Sequence, residues 1–362
     1  MKGRRLISLL FAAALTLWPL SAQEAVADLQ ENAAVPAESA ESEEADGLDI
    51  AGIIFGHIGD AYEWHITDIG HKAVAIHLPV IVRSKTSGWH CFSSRRLEHG
   101  GIYEGFFISG SEKNDGKVVE LVDGQEVRPF DISITKNVLS LMISSALLAL
   151  VVLLVARWYR RHDALNEAPT GLAALMEPLI MMVHNMARDN IGEDYKRYSP
   201  YLCTAFLFIL FNNFIGIIPF FPGGANLTGN IAVTLVLALC TFFAVNLFGN
   251  KHYYKELFLP DVPGFLKPIM PVIEVFSALV KPMSLTIRLF ANMLAGHIMI
   301  LCMVCIIFVM AKYGAVVTGS ISVISVLFGL FLDLLECLVA FIQAYVFTML
   351  SSIYIGLSRQ KE

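Results

Sequence analysis

The sequence predicts an all-α polytopic membrane protein with a small β-rich exported domain at its N-terminal side. The first observation is composition: of 362 residues, 56% are hydrophobic and 16% are charged, and the mean hydropathy is +0.61, above the range of soluble domains. The second is that apolar stretches long enough to cross a bilayer recur after about residue 138. The third is that residues 50–130 contain short β-type runs separated by Ser-Gly and Asp-Gly turn signals. A single soluble domain is thereby excluded.

The amino terminus is typical of an exported protein. Residues 1–22 have a basic start, an apolar core and a small-residue exit, which is the pattern of a cleaved signal peptide. An uncleaved anchor helix is the alternative, and residues 25–27 offer a second cleavage site. Residues 23–49 carry nine acids and no base. Because they have too little apolar surface to offset the entropy lost on ordering, we expect a disordered acidic tether.

The net charge of -6 arises from this N-terminal region. The three bases of residues 1–22 contribute +3, the nine acids of residues 23–49 contribute -9, and the rest of the chain sums to zero. The acidity therefore indicates nothing about nucleic acid or substrate.

Histidines are concentrated in the exported domain, residues 50–130. His71 and His77 share the parity of one strand, which would suit a metal site, but a spacing of the type H-x-x-x-H and a thiolate cluster are both absent from the sequence. We therefore expect surface or hydrogen-bonded histidines and no metal. Cys91 is the one cysteine outside the apolar segments, so no disulfide framework is predicted there. The six histidines of the domain are His57, His65, His71, His77, His90 and His99.

Five hydrophobic segments are predicted to lie in lipid, and the first three have ordinary lengths. Residues 138–156 form the first and are followed at once by three arginines, which the positive-inside rule places in the cytoplasm. Residues 169–198 mix apolar and charged positions at helical spacing and are interpreted as an amphipathic helix along the cytoplasmic surface. Residues 201–220 and 230–248 form the next two spans, joined outside by a Gly/Pro-rich turn.

The last two hydrophobic segments are different in kind. Residues 269–310 and 319–357 each number about 40, so as helices they would be about 60 Å long, twice the hydrocarbon thickness. They must be strongly tilted or broken, and a tilted hairpin usually wraps a partner. Basic residues at the carboxyl end keep that end in the cytoplasm. Residues 131–362 are thus predicted to form a membrane domain, with the N-terminus exported.

Charged and amide side chains inside these two long segments form the candidate site. A guanidinium at bilayer depth costs about 2.5–3.5 kcal/mol on insertion scales, so the retention of Arg288 needs a reason. A structural ion pair between Arg288 and Glu336 is one alternative, but the set is richer than one pair requires. It comprises Glu274, Lys281, Arg288, Asn292 and His297 on the first segment, and Asp333, Glu336 and Gln343 on the second.

Helical arithmetic groups these side chains by face. At about 100° per residue, Lys281, Arg288 and Asn292 fall on one face of the first segment, whereas His297 lies on the opposite side. The three polar residues of the second segment share one face. A permanently charged arginine is a poor proton carrier but a good fixed cation, while histidine and glutamate exchange protons readily. The pattern indicates stepwise ion movement past a fixed positive charge.

Three stretches of the chain carry motifs of a known family. Residues 274–297, EVFSALVKPMSLTIRLFANMLAGH, resemble the signature of the a subunit of rotary ATP synthases, the stationary membrane channel beside the c-ring. Residues 336–348, ECLVAFIQAYVFT, are similar to the final helix of that family, and residues 213–219, NFIGIIP, to the end of an earlier span. The resemblance covers about residues 138–360, and more weakly YEWHI at residues 62–66.

The resemblance implies a role for each candidate residue. Arg288 would be the essential arginine that meets the ionisable carboxylate of each passing c subunit and blocks leakage between two half-channels. Glu274 would line the cytoplasmic half-channel, and His297 with Glu336 would line the half-channel open to the exported side. Asn292 and Gln343 would help to position the arginine. Asp333 and Asn213 are secondary candidates.

The same resemblance implies the partners of the chain. These are the c-ring, the peripheral-stalk b subunit and the other ATP synthase subunits, on which the nucleotide chemistry would take place. No cofactor, metal or nucleic acid is expected.

Two positions depart from the pattern of some bacterial members of the family. These members carry Glu where this chain has His297 and His where it has Glu336, and the swapped arrangement is also seen in mitochondrial members. Because the swap retains one acid and one imidazole, it is what a proton-relaying pair would tolerate. Gly216 stands where some members have Asp, which argues against a proton role for that span.

Two other classes of protein compete with this interpretation. A stand-alone secondary transporter or channel would often show internal repeats and paired broken helices, and the sequence has no such repeat. An exported sensor on a membrane anchor would explain residues 50–130 but not the charges within the apolar segments.

Overall fold

The structure is a computed structural model. It describes residues 54, 56, 59–69, 72–85, 87–111, 114, 116–122, 125–162, 167–218, 224, 227–258, 269–310 and 315–359. The predicted signal peptide and acidic tether lie outside these residues.

The part of the N-terminal domain, residues 50–130, that the structure describes is built from antiparallel strands. They form three small sheets, in the orders β1-β2, β4-β3-β8 and β5-β6-β7. This confirms the predicted β-rich region. The strands are β1 (Glu63–Ile69), β2 (Lys72–His77), β3 (Pro79–Ser84), β4 (Gly88–Ser93), β5 (Phe106–Ile108), β6 (Val118–Val122), β7 (Gln125–Val127) and β8 (Phe130–Asp131).

The core of this domain forms because alternate residues of a strand point to one face. Val80 and Val82 on β3 are fully buried and pack with Phe106 of β5. The Tyr62 hydroxyl also lies against this core and donates to Asp131 Oδ2 at 2.5 Å. Burial and the neighbouring carboxylate raise the pKa of Tyr62, so the phenol stays protonated as a donor.

The domain is hydrogen-bonded directly to the start of the first long helix. The backbone N–H of Lys136 donates to the carbonyl of Ala61 at 2.8 Å, and the N–H of Asn137 donates to Asp60 Oδ1 at 3.1 Å. These are two of the first N–H groups of the helix, which have no acceptor within it. The domain therefore caps the helix that follows it.

One of the domain's histidines occupies a polar surface cluster. His90 Nδ1 contacts Glu104 Oε2 at 2.6 Å, and His90 Nε2 contacts the Ser87 hydroxyl at 2.8 Å. The hydrogen bond from His90 lowers the pKa of Glu104. No group of three His, Cys, Asp or Glu suited to a metal ion is found among the residues that the structure describes. His57 and the side chains of His65, His71 and His99 lie outside them.

Seven α-helices follow in the described part of the chain. A one-turn 3-10 segment, Gly192–Asp194, joins the second to the third. The helices are α1 (Lys136–Arg161), α2 (Leu172–Ile191), α3 (Tyr195–Ile217), α4 (Ile231–Leu247), α5 (Lys251–Phe258), α6 (Met270–Met310) and α7 (Ala315–Arg359).

The helices confirm the predicted all-α membrane architecture. Four helical stretches are long and apolar enough to cross a membrane, with α2 and α3 forming one of them, and α4 is a shorter apolar helix of 17 residues. Asn230 begins α4 as its N-cap, because its side-chain oxygen accepts from the Ala232 N–H at 3.0 Å. The amphipathic segment predicted at residues 169–198 forms α2, and its position along the membrane surface stays a prediction.

The two long segments are continuous helices rather than broken ones. α6 has 41 residues and α7 has 45, so each is more than 60 Å long at about 1.5 Å per residue. Pro282 lies inside α6 without ending it. Neither helix fits upright within about 30 Å of hydrocarbon, so the expected tilt applies to both.

The helical core lies where α3 meets its neighbours. α3 packs against α1, α2 and α7, while α6 packs against α4 and α7. Leu202, Phe206 and Ile209 of α3 are fully buried, and Ala344 of α7 and Leu289 of α6 belong to the same cluster. Because α3 packs against α7 in this core, residues of α3 lie close to the α6–α7 hairpin.

The carboxyl end of α7 is tied to α2 and to the turn after α2. Arg359 Nε donates to Asp194 Oδ2 at 2.9 Å, and Arg359 Nη2 contacts the same oxygen. Asn190 Nδ2 donates to the Ser352 hydroxyl at 3.0 Å. At Gly356, an added Cβ would overlap the backbone carbonyl of Asn190. Glycine therefore allows the close crossing of α2 and α7.

Replacement of Gly356 with alanine should destabilise the helical domain. The obstructing atoms are backbone, so α2 and α7 must separate, at a cost of about 1–3 kcal/mol. We expect Gly356→Ala to lower the unfolding temperature of the detergent-solubilised chain by several degrees. Gly319→Ala is the matched control, because an added Cβ there meets open space in the same helix. Equal unfolding temperatures for the two variants would show that the crossing tolerates a methyl group.

Candidate proton-transfer site

A histidine of α6 and a glutamate of α7 meet inside the hairpin. His297 Nδ1 lies 2.8 Å from Glu336 Oε1, and the side chains are 15% and 5% exposed. The approach is oblique, so this is a close ion-pair contact rather than a straight hydrogen bond. Of the residues predicted from the sequence, these two are brought into direct contact.

The imidazole also contacts the backbone of α3. His297 Nε2 lies 3.3 Å from the carbonyl oxygen of Gly216, and a carbonyl can only accept a hydrogen bond. Nε2 is therefore the donor in this contact, and Nδ1 is the ring nitrogen that faces the Glu336 carboxyl group at 2.8 Å. An imidazole and a carboxyl group this close are able to exchange a proton.

Two glycines make this contact possible. Gly216, near the end of α3, contributes its backbone carbonyl to His297. α3 therefore contributes a backbone contact to the pair, at the position where some family members carry an aspartate. At Gly296, an added Cβ would lie 2.9 Å from Glu336 Oε1. Glycine in a helix interior costs about 1 kcal/mol relative to alanine, and at residue 296 it gives the carboxylate its space.

Asn213 holds α3 to α7 one turn before Gly216. It is fully buried, and its Nδ2 donates to the carbonyl of Ala340 at 3.4 Å. Its Oδ1 accepts from the Thr228 hydroxyl at 2.6 Å. Both ends of the amide are occupied by structural contacts, so we assign Asn213 to positioning α3 beside the pair rather than to carrying protons.

Arg288 faces away from the core. It is exposed, and in the described part of the chain it makes no hydrogen bond, ion pair or aromatic contact. The alternative of a structural pair with Glu336 is not found, because Glu336 contacts His297 instead. The exposed strip around Arg288 recurs at helical spacing and contains small side chains. It consists of Val280, Ser284, Ile287, Arg288, Ala291, Asn292, Ala295 and Met299, which we call the arginine strip.

Other predicted residues are distributed around these two centres. Gln343 is buried on α7, at 6% exposure. Lys281 lies two turns before Arg288, with Nζ 5.4 Å from the Tyr354 ring centroid. Glu274 is half-buried near Tyr253, whose pKa is raised by burial, by Tyr254 and by the charge of Glu274. These contacts place Glu274 and Lys281 towards the end of α7 where Arg359 lies.

Asp333 lies one turn from Glu336 and lines a cavity between α6 and α7. The sequence singled out Asp333 by its helical face alone. The glycines at 216 and 296 were not predicted as part of the site. An interior glycine next to His297 was the available signal at residue 296, whereas a backbone carbonyl leaves no signal in the sequence.

The fold and this site define a class of protein. A bundle of membrane-length helices holds a histidine–glutamate contact inside a hairpin. On the outside of the same hairpin lies an arginine that has no hydrogen bond or ion pair with the described residues. This is a polytopic membrane protein equipped to move protons. The chain belongs to the ATP synthase A chain family, whose model matches residues 141–356. A second model, a domain of unknown function (DUF8433), matches residues 53–137.

Individual relatives agree with the family model. ATP synthase subunit a of Pelodictyon phaeoclathratiforme is 44% identical over 237 residues, which are 64% of this chain and 67% of the relative. The protein of the same name from Chloroherpeton thalassium is 42% identical over 238 residues, 64% of this chain and 68% of the relative. That from Myxococcus xanthus is 41% identical over 236 residues, covering 63% and 73% of the two chains.

Family membership gives the general activity. The chain is a multi-pass membrane subunit of the membrane sector of ATP synthase, where it serves proton translocation and is not itself the catalytic subunit.

Proposed function

We propose that this chain forms the stationary proton path beside a ring of c subunits. The observation that carries this proposal is that Arg288 is exposed within a helix of membrane-spanning length and has no hydrogen bond or ion pair with the residues that the structure describes. A lone guanidinium facing lipid costs about 2.5–3.5 kcal/mol or more, so a partner from outside the chain must neutralise it. A carboxylate on a neighbouring subunit is the group that compensates this charge.

The arginine strip suits a close helical partner. Ser284, Ala291 and Ala295 are small and exposed, and small side chains let helix backbones approach closely in a membrane. The outer face of α7 adds a long apolar surface, with Leu330 and Leu334 each about two-thirds exposed. A ring of helices with one carboxylate per subunit matches both the shape and the charge of this face.

Two half-channels follow from where the polar residues lie. His297 and Glu336 would take protons from the exported side, while Glu274 would connect the ring to the cytoplasm. Between them, Arg288 would stop a proton from passing directly, because its guanidinium stays charged at any physiological pH. Asn292 is exposed one turn after Arg288, and Gln343 is buried on α7. We assign both amides to holding the arginine in place.

The direction of the path depends on the topology. We propose that the N-terminal domain is exported and that the carboxyl end of α7 is cytoplasmic. Arg160 and Arg161 end α1, and Arg359 at the end of α7 contacts the carbonyl of Phe248 just before the basic helix α5. Basic residues thus gather at the ends that the positive-inside rule assigns to the cytoplasm. The peripheral-stalk b subunit and the remaining ATP synthase subunits would hold the chain stationary.

Copurification tests the partner. A tagged chain extracted from its membrane in mild detergent should bring with it a ring of small hairpin proteins, whereas a stand-alone transporter would come without one. Ala291→Trp should remove the ring, because a bulky side chain on the arginine strip keeps the neighbouring helices apart. Leu153→Trp is the control, since Leu153 is 66% exposed on α1, away from the hairpin. Retention of the ring by Ala291→Trp would contradict the proposed docking face.

A further inference from the structure

A cavity of about 250 Å³ lies between the two helices of the hairpin and is open on one side, where its lining residues Val326 and Leu330 are about two-thirds exposed. Its polar side chains are Ser325 and Asp333 of α7, and the rest of its lining is aliphatic or methionine. A water molecule occupies about 30 Å³ in the liquid, so the cavity has room for several. The carboxylate and the hydroxyl give such waters the polar partners that they need.

The cavity begins one turn from the contact between His297 and Glu336. Asp333 precedes Glu336 by three residues on α7, and the lining residue Ile300 follows His297 by three residues on α6. Residues three apart are neighbours on one side of a helix. From Asp333 the cavity extends to Ser325, eight residues nearer the turn of the hairpin, or about 12 Å along the helix axis. It therefore leads from the pair towards that turn.

The Oε2 atom of Glu336 is not part of the contact with His297. Oε1 faces His297, but Oε2 is buried and has no hydrogen-bond partner among the residues that the structure describes. A buried acceptor left unpaired costs about 1–3 kcal/mol, and more when it is charged. A water molecule or a protonated group beside Oε2 would remove this cost.

We propose that Asp333 is a further proton-transfer residue, which passes protons between water in this cavity and Glu336. An O–H bond of the Asp333 carboxylic acid breaks as an O–H bond forms on the Glu336 carboxylate, directly or through one water. Asp333 then regains a proton from hydronium in the cavity, so charge and atoms balance without a further reactant. The α6 residues that line the cavity are Ile300, Met303, Val304 and Ile307, and none of these side chains can form an ion pair with the Asp333 carboxylate.

This role rests on the proposed function, and passive proton flow through the membrane sector of the intact complex tests it. Asp333→Asn keeps the size of the side chain but cannot exchange a proton. We expect flow to fall at least about tenfold, because water alone replaces a placed acid, and Asp333→Glu to restore most of it. Leu153→Asn is the matched control: it adds the same amide on α1, at a residue that is 66% exposed and lies away from the hairpin. Normal flow through Asp333→Asn would overturn the proposal.

A second measurement tests the cavity without relying on proton flow. In the complex freed of native cysteines, Ser325→Cys should react with a charged, membrane-impermeant thiosulfonate added from the exported side. We expect its rate to exceed that of Leu334→Cys at least about tenfold, since thiolate chemistry requires water. Equal rates would show that the cavity is dry and would overturn the proposal.

The role of Asp333 and the proton path of the proposed function can be disproved separately. If Glu336→Gln blocks flow while Asp333→Asn does not, the proton path of the proposed function stands and the role of Asp333 falls. If Glu336→Gln itself leaves flow normal in a fully assembled complex, the proposed path falls, whatever the reactivity of Ser325→Cys.

Discussion

Replacement of Arg288 with alanine should abolish coupled ATP synthesis while the complex still assembles. Arg288 is exposed on α6 and makes no hydrogen bond, ion pair or aromatic contact with the described residues, so we expect its removal to leave the core of the chain unchanged. The proposed c-ring carboxylate, however, would lose the cation that holds it ionised as it passes. Loss of one partner of a desolvated pair costs about 3–5 kcal/mol, a factor of at least about a hundred. ATP synthesis and ATP-driven proton pumping in membrane vesicles measure this effect.

Lys281 supplies a matched control for the arginine. It is a cation two turns earlier on the same helix, and its Nζ lies over the Tyr354 ring. Lys281→Ala removes the same charge and should leave most of the coupling intact. Arg288→Lys should restore the charge but little of the activity, since an ammonium group cannot make the two parallel hydrogen bonds of a guanidinium. Normal ATP-driven pumping in Arg288→Ala would disprove the stationary-arginine role.

The exchange of His297 and Glu336 is the second large prediction. Single variants that remove either partner should slow passive proton flow by about a hundredfold or more, which is the usual cost of losing a placed proton donor. The double variant His297→Glu with Glu336→His should recover part of this loss. The reason is the 2.8 Å contact, since the exchange retains one acid and one imidazole across the same two helices.

A double-mutant cycle gives the exchange its controls. The variants His297→Glu and Glu336→His each place two like groups in the site, and groups in contact are expected to couple by about 0.5–3 kcal/mol. The side chain at residue 336 occupies the space beside Gly296, so a changed side chain there could disturb the packing of α6 and α7. Assembly of each variant is therefore checked by copurification of the other subunits. Full assembly with no recovery in the double variant would argue against a direct pair.

Much of the architecture could be read from hydrophobic pattern. The apolar segments at residues 138–156, 201–220 and 230–248 correspond to α1, α3 and α4, with ends that differ by a few residues. The two long segments were expected to be tilted or broken, and the structure shows two continuous helices. Side-chain hydropathy does not distinguish these outcomes, because a helix is interrupted by local backbone geometry and Pro282 did not interrupt α6.

The candidate site was less predictable than the helices. Helical arithmetic put His297 on the side of α6 opposite Arg288, and this agrees with a half-buried histidine and an exposed arginine. It gave no partner for either residue. Gly216 argues against a proton role for α3, and this stays a prediction, but the carbonyl of Gly216 contacts His297. A side-chain motif carries no record of backbone contacts, so this contact could not be predicted from the sequence.

By itself, the sequence determined the class of this protein, which has a β-rich domain before membrane-length helices. It also placed titratable side chains and Arg288 inside the last two hydrophobic segments, residues 269–310 and 319–357. These properties follow from residue type and spacing along one chain, because hydropathy and helical period are local. Only the tertiary structure decided that Glu336 meets His297, that Asp333 lines a cavity and that Arg288 has no hydrogen bond or ion pair among the described residues. Contacts between α3, α6 and α7 join residues far apart in sequence. They depend on how closely the helices pack, which glycines such as Gly296 and Gly356 control.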